Sequence, residues 1–108
     1  MSAEPLDLAA LRDSADSAAA LLRVLCNPDR LLLLCQLTHG EACVSDLEAA
    51  TGIVQPTLSQ QLGVLREAQL VTTRREGKNI FYALDSDDAL AVMEVLYTRF
   101  CQKRRKRK

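Results

Sequence analysis

Leu8, Leu11, Ala15, Ala18, Leu22 and Leu25 recur in alternating steps of three and four residues. That alternation is a heptad seam on a long first helix, with a possible break near Ser14 to Ser17. One helix has nothing of its own to bury such a seam against. It is expected to pack both on its own domain and on a second subunit. Asn27 then caps a new helix, Pro28 takes its first position and Asp29 suits the positive end of the dipole. This helix, Pro28 to about Thr38, carries the run Leu31 to Cys35, apolar nearly all round, and is expected in the core. His39-Gly40 ends it.

Ser45 and Glu48 stand in capping-box spacing, so a short helix is expected to begin there, with Leu47 and Ala50 as its apolar face. Gly52 supplies a residue that takes a left-handed turn easily. A further helix starts at Pro56, with Leu58, Leu62 and Leu65 on one face. Its other face is Gln55, Thr57, Ser59, Gln60, Gln61 and Gly63. Solvated helix faces are usually rich in Lys and Glu, and this one has neither. Short amide and hydroxyl side chains both donate and accept, which suits the edges of base pairs in a major groove. Two helices joined by a glycine turn match the helix-turn-helix pattern.

Two strand-like runs follow, Leu70 to Arg75 and Asn79 to Leu84, separated by Glu76-Gly77-Lys78, a hairpin loop with a central glycine. Arg74, Arg75 and Lys78 cluster near its tip, and Glu76 offsets one of them. A basic hairpin beside a recognition helix reads as a wing that touches phosphates while the helix reads bases. After it, Asp85 to Asp88 makes an acidic start to a last helix, about Ser86 to Phe100. Leu90, Met93, Val95, Leu96, Tyr97, Phe100 and Cys101 cover more than one of its faces.

In this order the chain resembles a known family. Asn27-Pro28-Asp29-Arg30-Leu31, Val44-Ser45-Asp46-Leu47, Gln55-Pro56-Thr57-Leu58-Ser59-Gln60-Gln61-Leu62, Leu65-Arg66-Glu67-Ala68 and Leu70-Val71 look like the ArsR/SmtB family of dimeric winged-helix repressors. The likeness runs from about Leu8 to Cys101. It implies a mainly α fold with a β-hairpin wing in the order α-α-α-α-β-β-α. It also implies a homodimer built through the first and last helices, bound to double-stranded operator DNA at an inverted repeat. The family commonly has His at the position of Gln61 and Gly at that of Gln69. A Gln held in a left-handed position there costs roughly 1 kcal/mol.

At 108 residues and 48% hydrophobic content the chain is one small domain, residues 1–102, with burial that is marginal for a monomer. The net charge of zero conceals an asymmetry. All six residues from Lys103 to Lys108 are basic, and without them eight Lys or Arg face fourteen Asp or Glu, a net −6. The body is acidic, and residues 103–108 are expected to be a disordered basic tail. No signal peptide or membrane span is recognisable, so a cytoplasmic protein without membrane partners is expected.

Four cysteines remain, and a cytoplasmic location argues against a structural disulfide framework. Metal sensors that resemble this chain carry two cysteines in the stretch aligned with Ala42-Cys43-Val44-Ser45-Asp46-Leu47, where Ser45 replaces the second. With one His in the chain, a four-ligand site is hard to assemble, although three thiolates meeting across a dimer keep a thiophilic metal open as inducer. Cys35 and Cys101, within Leu31-Leu-Leu-Leu-Cys35-Gln36-Leu37 and Tyr97-Thr-Arg-Phe-Cys101, resemble the dithiol of the sulfide- and persulfide-responsive branch of the family. The resemblance implies that reactive sulfur species convert the pair to a disulfide or polysulfide bridge and release the DNA; peroxide is a third candidate inducer. The plainer reading of Cys35 is a small buried hydrophobe. Cys26 reads as packing, Cys43 as semi-exposed, and His39 as a capping or surface residue. There is no Ser/His/Asp set, phosphate loop or carboxylate pair, and neither an enzyme nor a cofactor is expected.

Overall fold

The computed structural model describes residues 5–102; the basic run 103–108, with the tail expected there, lies outside them. Five helices surround a small antiparallel sheet: α1 (Leu8–Leu25), α2 (Pro28–Leu37), β1 (Ala42–Cys43), α3 (Val44–Thr51), α4 (Thr57–Glu67), β2 (Val71–Glu76), β3 (Asn79–Leu84) and α5 (Asp87–Tyr97). A π-helical turn, Thr98–Gln102, continues α5. This is the expected winged helix-turn-helix with one addition. The two-residue β1 pairs with β3, Ala42 opposite Tyr82 and Cys43 opposite Phe81, giving the sheet order β1-β3-β2. Two residues carry no periodicity, so the strand has no local signature.

Several caps follow the sequence. Asn27 accepts from the Arg30 backbone N–H at 3.0 Å and Ser86 from that of Ala89 at 3.0 Å. Asp7 caps α1 in the same way. The capping box at Ser45 does not form. α3 starts one residue earlier with Cys43 as N-cap, and its buried thiol donates to the Asp46 carboxylate at 3.2 Å while lying 3.3 Å from the Ser45 hydroxyl. Pairing of Cys43 to β3 pulls the helix start back to the strand end. Cys43 is therefore buried rather than semi-exposed, and Cys26 is exposed rather than packed.

Leu33, Leu34, Leu47, Leu58, Leu62 and Leu65 form the fully buried centre, joined by Leu25, Leu37, Val71, Ala89 and Met93. α2 is not buried all round, since Leu32 stays 51% exposed. Ala50 is exposed as well, which leaves Leu47 as the anchor of α3. Burying six leucines at about 2 kcal/mol each accounts for most of what holds the helices together. The first and last helices keep apolar surface outside this core. Leu8, Leu11 and Leu22 of α1 and Val95 of α5 are exposed, as is Phe100 in the turn that follows.

Candidate DNA-reading face and cysteine cleft

Helix α4 buries Leu58, Leu62 and Leu65 and turns Ser59 and Gln60 to solvent, with Thr57 half-buried beside them. Gly52, with φ 78°, makes the turn between α3 and the segment leading to α4. Gln55 precedes a cis bond to Pro56 and helps to build the helix start, since its Oε1 accepts from the Ser59 backbone N–H at 3.0 Å. It thereby satisfies one of the donors left open at a helix start. Its amide nitrogen, two donors, stays outward beside Ser59 and Gln60. Gln61 departs from the outward face on which its spacing put it. It is half-buried, and its Oε1 accepts from Arg30 Nη1 at 2.7 Å.

Arg30 connects three elements. Its Nε donates to the Val24 carbonyl of α1 at 2.6 Å, its Nη1 reaches Gln61 of α4, and its backbone sits in the first turn of α2. Sequence reasoning gave Arg30 no role. It stands in a stretch that carries the family resemblance, but nothing in its spacing foretold a partner 31 residues away.

The wing is a two-residue turn rather than three, because Glu76 and Asn79 pair. Gly77, at φ 64°, occupies the first central position, as tight hairpins with a positive φ there require. Strand alternation separates the three cations. Arg74 shares a face with Phe81 and lies 4.7 Å over its ring, while Arg75 points the other way, opposite Ile80. Arg74 is already paired: it donates to both Glu41 oxygens at 2.7 and 2.8 Å and to Glu76 at 2.9 Å. These bonds hold the Glu41 carboxyl below its usual range and push Arg74 further up. Arg74 is thus a wing brace; Arg75 and Lys78 are exposed. Glu41 was missed because it precedes a strand that the sequence did not reveal.

Cys35 and Cys101 line the same cleft. It holds about 450 Å³ between α2 and the end of α5, and its walls are otherwise apolar, with Leu31, Leu32, Leu96 and Phe100 among them. Cys35 is half-buried and Cys101, in the π-helical turn, is exposed. Cys43 sits at the start of α3, tied to Ser45 and Asp46. His39 is exposed, its Nδ1 3.3 Å from the Gln36 carbonyl. Among the described residues no group of three or more His, Cys, Asp or Glu is arranged to hold a metal ion, and no helix is long and apolar enough to cross a membrane.

A fold of this kind, with a helix that shows amides and hydroxyls and a hairpin that shows cations, is that of a winged-helix transcriptional regulator. Comparison with known proteins narrows the class. The model of the bacterial regulatory protein arsR family matches residues 27–73. The biofilm growth-associated repressor of Agrobacterium fabrum is 52% identical over 103 residues, covering 91% of this chain and 88% of the relative. Among solved structures, the transcriptional repressor BigR from Xylella fastidiosa superposes with a TM-score of 0.86 at 48% identity, covering 89% of this chain and 98% of that one. Reduced HlyU from Vibrio cholerae gives 0.80 at 35% identity, covering 87% and 99%. The chain belongs to the ArsR family: it is a DNA-binding transcriptional repressor and not an enzyme.

Proposed function

We propose that this repressor is a cytoplasmic homodimer that holds an inverted-repeat operator while Cys35 and Cys101 are reduced, and releases it when reactive sulfur species bridge them. The observation that carries the reading is the shared cleft, which puts two thiols far apart in sequence on the walls of one apolar space. The relative crystallised as reduced HlyU is consistent with a redox-linked protein. Exposed Leu8, Leu11, Leu22, Val95 and Phe100 supply the apolar surface a second subunit would cover.

In the reduced dimer Ser59 and Gln60, with Thr57 and the amide nitrogen of Gln55, read base edges, and Arg75 and Lys78 hold phosphates. Gln61 and Arg74 act by positioning α4 and the wing. The switch begins when the Cys35 thiolate attacks the outer sulfur of a persulfide R–S–SH; the donor S–S bond breaks, R–S⁻ leaves, and Cys35–S–SH forms. The Cys101 thiolate then attacks the Cys35 sulfur and expels HS⁻, leaving a disulfide. Two thiols are oxidised and one sulfane sulfur is reduced to sulfide. Each extra sulfur in a longer bridge consumes one further donor.

A bridge across the cleft draws α2 and the end of α5 together. Because α2 is bonded to α4 through Arg30 and Gln61, a shift of α2 alters where the recognition helix stands. Half-sites lie one helical turn apart, so affinity depends on that spacing. A hundredfold loss requires about 2.7 kcal/mol of difference between the two forms.

The test combines operator binding by fluorescence anisotropy with intact mass after separate exposure to an organic persulfide, hydrogen peroxide and Zn(II). Persulfide is expected to add a Cys35–Cys101 bridge and release DNA. Cys35→Ser and Cys101→Ser should bind operator normally and fail to respond. Normal release from either variant, or release driven by Zn(II) alone, would overturn the dithiol reading.

A further inference from the structure

Cys35 stands between two clefts. Besides the apolar one shared with Cys101, a second cleft of about 680 Å³ opens between the C-terminal end of α2 and α5, and Cys35, Met93 and Tyr97 belong to both walls. Its chemistry is different. Thr38, His39, Glu94 and Thr98 line it, and among the described residues no Lys or Arg does. Two of these side chains are held in place: Thr38 Oγ1 donates to the Cys35 carbonyl at 2.6 Å, and the His39 ring lies against the Gln36 carbonyl. Glu94 is exposed at the rim of α5.

Displacement at sulfur needs the nucleophile, the attacked sulfur and the leaving sulfur nearly in line. A sulfur donor therefore has to approach Cys35 from an open side, with room behind it for the departing thiolate. The resolving thiol has to reach Cys35 from a direction the donor does not block. A cleft with apolar walls meets the second need and is costly for a charged donor, which would lose its hydration there. The polar cleft meets the first.

We propose that the cleft of Thr38, His39, Glu94 and Thr98 docks the sulfur donor, and that it selects organic persulfides bearing a primary ammonium group, which the Glu94 carboxylate holds while the outer sulfur faces Cys35. This rests on the dithiol reading above and assigns the order of events within it. Cys35 attacks first, taking the outer sulfur as the donor S–S bond breaks. The leaving thiolate departs through the polar cleft and takes a proton from water. Cys101 resolves from the apolar side. Carboxylate-bearing donors are disfavoured because Glu94 repels them.

The experiment measures the rate of Cys35–Cys101 bridge formation by intact mass in the full-length protein. The donors are persulfides of cysteamine, 3-mercaptopropionate and 2-mercaptoethanol, with the first two rates normalised to the neutral third. Wild type is expected to prefer the cationic over the anionic donor by about three- to fivefold at low salt, the gap narrowing as salt rises. Glu94→Gln should level the two, and Glu94→Lys should invert them. Operator affinity of each reduced variant checks that it folds, and Glu94→Gln alone carries the test should the lysine variant fail to fold. An unchanged donor order in the variants overturns the docking site while leaving the dithiol switch intact. Absence of any bridge in wild type with all three donors overturns the dithiol reading, and this site with it.

Discussion

The guanidinium of Arg30 donates to the side-chain oxygen of Gln61 at 2.7 Å, and so bonds the helix that carries Cys35 to the second helix of the helix-turn-helix. Arg30 also holds the Val24 carbonyl at the end of α1, so three helices meet at one side chain.

Removing that link should cost stability and coupling together. Gln61→Ala leaves a half-buried guanidinium short of an acceptor, a loss of about 1–2 kcal/mol for a charged hydrogen bond. Thermal unfolding should show Tm lower by at least about 4 °C. Persulfide-driven release of DNA should also weaken, whereas Gln61→His, which keeps an acceptor nitrogen, should restore both. Full release by Gln61→Ala would show that the bridge reaches α4 by another path.

The wing cations should separate by their partners. Arg75→Ala with Lys78→Ala is expected to flatten the slope of log K against log salt by about 2 and to weaken binding alike on all sequences. Arg74→Ala should leave the slope nearly unchanged, because Glu41 and Glu76 already occupy its donors. A slope change of one unit for Arg74→Ala would return it to the phosphate contacts.

Glu41 makes stability depend on acid. Its carboxyl is held below the ordinary glutamate range by the hydrogen bond from Arg74. The folded state thus binds a proton less readily than the unfolded one, and the pair's contribution is present at neutral pH. It disappears as pH falls through and below the ordinary carboxylate range. Urea midpoints of wild type and Glu41→Gln should differ at pH 7 and converge near pH 3. A gap that widens in acid would contradict this sign.

Glycine is missing at one position that wants it and present at another that does not. Gln69 sits at φ 64°, where a side chain is strained, so Gln69→Gly should stabilise the fold by about 0.5–1 kcal/mol. Gly63 lies within α4 with nothing within 4 Å of an added Cβ, so Gly63→Ala should also stabilise, by a similar amount. If Gly63→Ala at the same time weakens operator binding, DNA approaches that backbone closely; unchanged Tm in both variants would refute the backbone argument.

Much of this molecule was legible along the chain because its signals are local. Leucines at helical spacing, Asn27-Pro28, Ser86 and the glycines at 52 and 77 each act through neighbours within a few residues, and helices and wing follow from them. The strained Gln69 could be read in advance for the same reason. What failed to appear were contacts between distant segments: β1 and the Cys43 cap it imposes, the Glu41–Arg74 brace, and the inward turn of Gln61. In each case a side chain was free to follow its local pattern until a partner about thirty residues away or more claimed it. The dithiol lies between these extremes. Sequence resemblance named Cys35 and Cys101, but only packing of α2 against α5 gives them one cleft, because the space between two helices belongs to neither of them alone.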